Sequence, residues 1–163
     1  MYAQKLYELA ETLQETCLKN NLKISVAESC TGGMIGGLIT AIPGSSEIFG
    51  RGFITYNNQA KGELLGVPAH IFMVHGAVSS ECASAMAEGA LEKTSATLSV
   101  AATGIAGPGG ATDTKPVGLV YVAVARTGHD TLCERYEFTG DRAEVRMQAV
   151  ESAIMLLTKA ASR

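Results

Sequence analysis

Ser29 lies in the stretch Ala27-Glu28-Ser29-Cys30-Thr31-Gly32-Gly33. Before it, Lys23-Ile24-Ser25-Val26 reads as a short strand. After it, Met34-Ile35-Gly36-Gly37-Leu38-Ile39 reads as a helix packed closely at its glycines. A hydroxyl at a strand-to-helix turn can serve as a nucleophile, and the first N–H groups of the helix have no internal partner. With the helix dipole, those groups suit a phosphate, a carboxylate or a developing oxyanion. An ordinary turn with an N-cap accounts for the same residues. A nucleophilic serine also needs a base. His75 would complete a Ser-His-Asp triad, but no spacing supports one and G-x-S-x-G is absent, positions 27 and 31 being Ala and Thr. Lys61 is the stronger candidate, five residues after Tyr56 at a strand-to-helix junction. A neutral lysine can take the serine proton if burial lowers its pKa by about 3 pH units from the free value near 10.4. The alternative is a solvated lysine on a short helix.

A second loop, Thr103-Gly104-Ile105-Ala106-Gly107-Pro108-Gly109-Gly110, is too glycine-rich for a simple hairpin. It contains neither G-K-[ST] nor G-x-G-x-x-G, so the phosphate motifs of nucleotide-binding folds are missing. It reads either as a long flexible turn or as a wall of backbone N–H groups against a planar or anionic ligand. Arg142 and Arg146 fall one turn apart at the start of the last helix, where the dipole disfavours cations. Bidentate pairing with a phosphate would explain them, and so would surface salt bridges to Asp141 or Glu144.

These residues need a scaffold to bring them together. Residues 2–19 form an amphipathic helix with Leu6, Leu9, Ala10, Leu13 and Cys17 on one face. The helix after Ser29 stops near Pro43-Gly44-Ser45-Ser46. Phe49 to Tyr56 reads as a strand, with Gly50 and Gly52 allowing another backbone to approach. Asn57 or Asn58 caps a short helix holding Lys61, Leu64 and Leu65, closed by Gly66-Val67-Pro68. His75 to Val78 is a loop, and Ser79 caps the next helix. Thr97–Thr103, Val117–Arg126 and Thr131–Phe138 read as strands, the last two joined by a hairpin at Thr127–Asp130. Asp141 and Glu144 fit a capping box for the final helix. The order α-β-α-β-α-α-β-β-β-α indicates an α/β fold, a mixed sheet with helices on both faces. Ligands of open α/β sheets lie beyond the carboxyl ends of strands, so the loops at Ser29 and Gly104 open onto one cleft.

The 163 residues fit one domain spanning 1–163, large enough for a core without staples. With 47% hydrophobic and 18% charged residues, the composition excludes disorder. A net charge of −3 argues against a general nucleic-acid or membrane binder. No apolar run is long enough to span a membrane, and the N-terminus lacks a signal peptide's apolar core. Cys17, Cys30, Cys82 and Cys133 show no C-x-x-C pair and no metal-ligand spacing with the three histidines. They read as buried reduced thiols of a cytoplasmic protein, with Cys30 to be watched beside Ser29.

Taken together, the Ser29 stretch, Pro43–Ser46, Gly52–Lys61, Leu65–Val67, His75–Ser79, Thr103–Gly110, Lys115–Gly118 and Gly140–Arg142 resemble the C-terminal domain of the CinA family. The resemblance spans roughly residues 5–160, in order and at matching spacing. The stand-alone bacterial form of that family is a nicotinamide-nucleotide amidohydrolase. The resemblance therefore implies hydrolysis of nicotinamide mononucleotide to nicotinate mononucleotide and ammonia. It implies Ser29 as nucleophile, Lys61 as general base and Tyr56 as an assisting group. Cys30, Thr31, Gly32, Gly33, Thr103, Gly104, Ile105, Ala106, Gly107 and Arg142 are the expected substrate-binding positions. It further implies a three-layer α/β/α sandwich with a mixed, mostly parallel sheet, a homo-oligomer, and no metal or cofactor. The molybdopterin-binding-like domain of full-length CinA proteins is not expected here. A second reading, a catalytically inactive nucleotide-binding or regulatory module using the same cleft, stays open.

Overall fold

A computed structural model describes residues 2–163. Five strands form one sheet: β1 (Ile24–Glu28), β2 (Phe49–Ile54), β3 (Leu98–Gly104), β4 (Leu119–Arg126) and β5 (Leu132–Glu137), in the order β2-β1-β3-β4-β5. β2 and β3 both pair parallel to β1. β4 pairs antiparallel to β3, and β5 antiparallel to β4. Four strands thus run one way and β4 runs against them, which is the mixed sheet that the element order implied. The helices are α1 (Gln4–Lys19), α2 (Met34–Thr40), α3 (Asn58–Leu65), α4 (Ala69–Val74), α5 (Ser80–Glu92) and α6 (Arg142–Ala161), with a 3-10 turn at Ser45–Glu47. No helix among the described residues is long and apolar enough to cross a membrane.

Strand alternation decides which helices cover which face. Ile24, Val26, Val100, Val122 and Val124 point to the side packed by α1, α2 and α6 through Leu13, Ile35, Leu38, Val150 and Leu157. Ala27, Ala101, Ala123 and Ala125 point the other way, toward Ala83, Met86, Ala87 and Ala90 of α5 and Leu65 of α3. Alanines on both partners let α5 lie close to the sheet. Ser25 and Ser99 there donate their hydroxyls to the carbonyls of Ala90 and Ala87 at 3.2 and 2.6 Å. Each serine spends its polar group on the helix and so keeps its own hydroxyl paired.

Three differences from the sequence reading have local causes. The strand expected over 49–56 ends at Ile54, although Thr55 N–H still donates to the Glu28 carbonyl at 2.8 Å. Tyr56 therefore leaves the sheet and stands 60% exposed. Gly50 admits no other backbone, the space beside it being open, and Gly52 makes room chiefly for the side chains of Val26 and Phe49, with the Val26 carbonyl oxygen at 4.0 Å. Helix α4 is absent from the sequence expectation because it buries none of its residues and starts after Pro68 without a side-chain cap. It therefore carries neither the apolar stripe nor the cap that marks a helix. The expected caps at Asn57, Ser79 and Asp141 are all present.

Candidate active site

The parallel pairing of β1 with β3 puts their carboxyl ends side by side. Ser29 N–H donates to the carbonyl of Ala102 at 3.0 Å, which joins the first loop to the second strand's end. Helix α3 delivers Lys61 to the same place. Asn57 caps it, accepting from Ala60 N–H at 2.8 Å, and Gly66 ends it in the left-handed region at φ 71°. Gly89 of α5 lets α3 settle: a Cβ there would stand 2.0 Å from the Leu65 carbonyl oxygen. Lys61 is consequently 1% exposed. Its Nζ donates to Ser29 Oγ at 3.1 Å and to the Thr55 carbonyl at 2.8 Å. Among the described residues no carboxylate pairs with it. Burial away from water lowers its pKa, because the ammonium loses more hydration than the neutral amine. In the neutral form, one N–H stays on the Thr55 carbonyl and the lone pair can accept the Ser29 hydroxyl proton.

The turn after Ser29 is built differently from expectation. Helix α2 begins at Gly33, φ 95°, with no side-chain cap of its own. Its free N–H groups are instead taken by Glu28, a carboxylate 1% exposed. Glu28 accepts from Gly33 and Ile35 on one oxygen at 3.0 and 3.1 Å and from Gly36 on the other at 2.8 Å. The protein thus places its own anion at the positive end of α2, so that terminus does not receive a substrate phosphate or an oxyanion. Arg146 of α6 reaches the turn from the opposite side. Its Nε and Nη2 donate to the carbonyls of Cys30 and Thr31 at 3.0 and 3.1 Å.

The cleft beside Ser29 has a volume of about 220 Å³. Its wall is made by Cys30, Tyr56, Arg142 and the glycine loop from Gly104 to Gly110. Arg142 closes one side by donating to the Gly107 carbonyl at 2.7 Å and to the Tyr56 hydroxyl at 2.8 Å. Ala106, Gly107 and Arg142 also border a neighbouring hollow of about 500 Å³ that continues along Pro108, Val117 and Ala143. Together these give a bound molecule room beyond the reacting group. No acceptor among the described residues takes the N–H groups of Cys30, Thr31, Ala106 or Gly107.

The structure sorts the expected positions. Ser29, Tyr56, Cys30, Gly104, Ile105, Ala106, Gly107 and Arg142 border the cleft, and Lys61 stands buried behind Ser29. Thr31, Gly32 and Gly33 do not line it. Thr31 is buried, and the two glycines, at φ 59° and 95°, turn the chain into α2. Thr103 is also off the wall, its hydroxyl donating to the Ala77 carbonyl at 2.8 Å. His75 faces Glu81 at 3.5 Å and takes no part at Ser29. Burial pushes the Cys30 thiol up to about 11, so it stays protonated near neutral pH and is a poor rival nucleophile. Asp141 and Glu144 satisfy each other's backbone N–H groups and do not pair with Arg142 or Arg146. Two residues with structural duties at the site, Glu28 and Arg146, carried a usable signal. A helix that opens at Gly-Gly needs a foreign acceptor, and an arginine in a first turn needs a reason.

The model of the CinA C-terminal domain matches residues 6–161. A competence-damage inducible protein of Caldicellulosiruptor bescii is 46% identical over 151 residues, 93% of this chain and 36% of that protein. A CinA-like protein of Citrifermentans bemidjiense is 47% identical over 146 residues, 90% of this chain and 35% of its own. The chain thus spans about a third of the length of these relatives. Among solved structures, the competence/damage inducible protein CihA from Agrobacterium tumefaciens superposes with a TM-score of 0.96 at 40% identity, covering 100% of this chain and 99% of that one. The competence damage-inducible protein A from Klebsiella pneumoniae gives 0.91 at 32% identity, over 94% and 95% of the two chains. Sequence, fold and the ordered motifs around Ser29 agree, and the chain belongs to the CinA C-terminal domain family.

Proposed function

We propose that the protein is an amidase that hydrolyses the carboxamide of nicotinamide mononucleotide by a Ser-Lys mechanism. The observation that carries the reading is the buried Lys61, unpaired with any carboxylate among the described residues, 3.1 Å from Ser29 Oγ. Neutral Lys61 takes the hydroxyl proton as Oγ bonds to the amide carbon. The N–H groups of Cys30, Ala106 and Gly107, residues on the cleft wall, are the available donors for the oxyanion. As the C–N bond breaks, the proton on Lys61 passes to the departing nitrogen, directly or through the Tyr56 hydroxyl, and ammonia leaves. Water then attacks the ester on Ser29. Its proton returns through Lys61, and nicotinate mononucleotide is released with Ser29 restored. Arg142 is the cation placed to meet the 5′-phosphate, since Arg146 is already committed and the α2 terminus is filled by Glu28.

The test is an assay of ammonia and nicotinate mononucleotide from the mononucleotide. The amidase reading expects the two products in equal amounts. Saturable binding of the mononucleotide without ammonia would leave the binding-module reading in its place.

A further inference from the structure

We propose that Arg146 is a positioning residue, whose guanidinium, fastened to two successive carbonyls of the Ser29 turn, holds that turn in the shape from which the hydroxyl attacks. The proposal rests on the amidase reading of the same cleft. The turn reverses direction through Gly32 and Gly33, both at positive φ, so its peptide groups lie outside any regular ladder. It is tied to the sheet by Ser29 N–H and to itself by Gly32 N–H on the Ser29 carbonyl at 3.0 Å. Glu28 holds its downstream end. The Cys30 carbonyl has one partner among the described residues, Arg146 Nε, from a helix 116 residues further along the chain.

Three features point to a positioning role over packing alone. Arg146 sits near the start of α6, where its charge opposes the helix dipole, and among the described residues it pairs with no carboxylate. The guanidinium lies close against the turn: a Cβ on Gly32 would stand 3.2 Å from Nη2. A cation on the Cys30 carbonyl also withdraws electron density from the Cys30–Thr31 peptide. That strengthens amide resonance in this peptide and stiffens it, next to Cys30, which borders the cleft. A planar fork spans two carbonyls at once. An ammonium is a point charge and cannot hold the same pair in register.

The experiment compares wild type with Arg146→Lys and Arg146→Gln, using two readouts. One is kcat and KM for ammonia release from the mononucleotide. The other is the rate at which a small fluorophosphonate, which has no nucleotide part, modifies Ser29, read by mass on the Ser29 peptide. Misplacing a reacting group by about an ångström costs on the order of 100-fold, so both variants should lose kcat by that factor while KM stays within about threefold. Modification of Ser29 should slow in parallel, and melting temperature should change little in Arg146→Lys. A KM raised about tenfold with unchanged modification of Ser29 would make Arg146 a substrate contact and overturn the proposal. So would a loss of activity that tracks only the unfolded fraction and disappears on cooling. If wild type releases no ammonia yet modifies at Ser29, the amidase reading fails and the modification rate alone decides. A parallel fall in the variants then supports positioning, and an unchanged rate overturns it.

Discussion

In the proposed mechanism Lys61 concentrates the proton transfers in one buried amine. Its pKa is lowered chiefly by burial, and among the described residues no carboxylate pairs with it. Two consequences follow from that sign. The rate should rise with pH as Lys61 loses its proton, along an ionisation below the ordinary lysine value of 10.5. Lys61→Arg, which cannot be a neutral base, should remove nearly all turnover, and a pH–rate profile of wild type beside that variant checks both. The second consequence concerns stability. The folded pKa lies below the unfolded one, so between them the unfolded chain binds more protons and stability rises with pH. Lys61→Met should therefore melt higher than wild type at pH 7, with the gap closing toward pH 10 as the unfolded lysine also loses its charge. A gap independent of pH would mean that Lys61 is not strained by its charge. The residue types here were readable in sequence, but the burial was not. Nothing in Asn57-Asn58-Gln59-Ala60-Lys61 says that α3 turns Lys61 inward, because the decisive contact comes from Gly89, far along the chain.

Helices α3 and α5 meet at that glycine, and the meeting sets the distance between Lys61 and Ser29. Gly89→Ala puts a methyl 2.0 Å from the Leu65 carbonyl oxygen, with backbone on both sides and no flexible side chain to yield. It should destabilise the protein by about 1–3 kcal/mol, as overpacking does, and lower kcat by shifting α3 away from Ser29. Thermal melts and steady-state kinetics at a temperature where the variant is folded would check it. Unchanged kcat would mean that α3 keeps Lys61 in place without this contact. Helix α2 shows a similar dependence. Its N-terminus rests on Glu28, and Glu28→Ala would leave three buried or half-buried N–H groups without an acceptor, a loss of about 3–5 kcal/mol on the scale of a broken buried charge contact. The five strands, the capping residues and the layered arrangement were legible because period and cap chemistry are local. The α4 helix and the closing of α2 by Glu28 were not, since one lacks a buried face and the other uses an acceptor from the preceding strand.

The whole molecule carries a net charge of −3, so its long-range field does little to attract a phosphate and local cations must do it. Arg142 is the cation on the cleft wall, and it now also bridges Gly107 and Tyr56. The mononucleotide should be preferred over its riboside, and Arg142→Ala should shrink that preference by one to two decades, about 1.5–3 kcal/mol of charge-assisted contact. Measuring kcat/KM for both compounds with both proteins separates the cases. Equal use of the two by wild type would remove the phosphate from recognition. An unchanged preference in Arg142→Ala would keep the phosphate but assign it elsewhere. The central claim, however, is that Ser29 attacks the amide and that the layered fold exists at this point to hold it against Lys61. Ammonia release by Ser29→Ala, compared with wild type and with Cys30→Ser at matched folding, tests it most directly. The account predicts that Ser29→Ala falls to background while still binding the mononucleotide, and that Cys30→Ser keeps most of the activity. Ammonia release by Ser29→Ala within about tenfold of wild type would contradict it, because loss of a true nucleophile costs several decades.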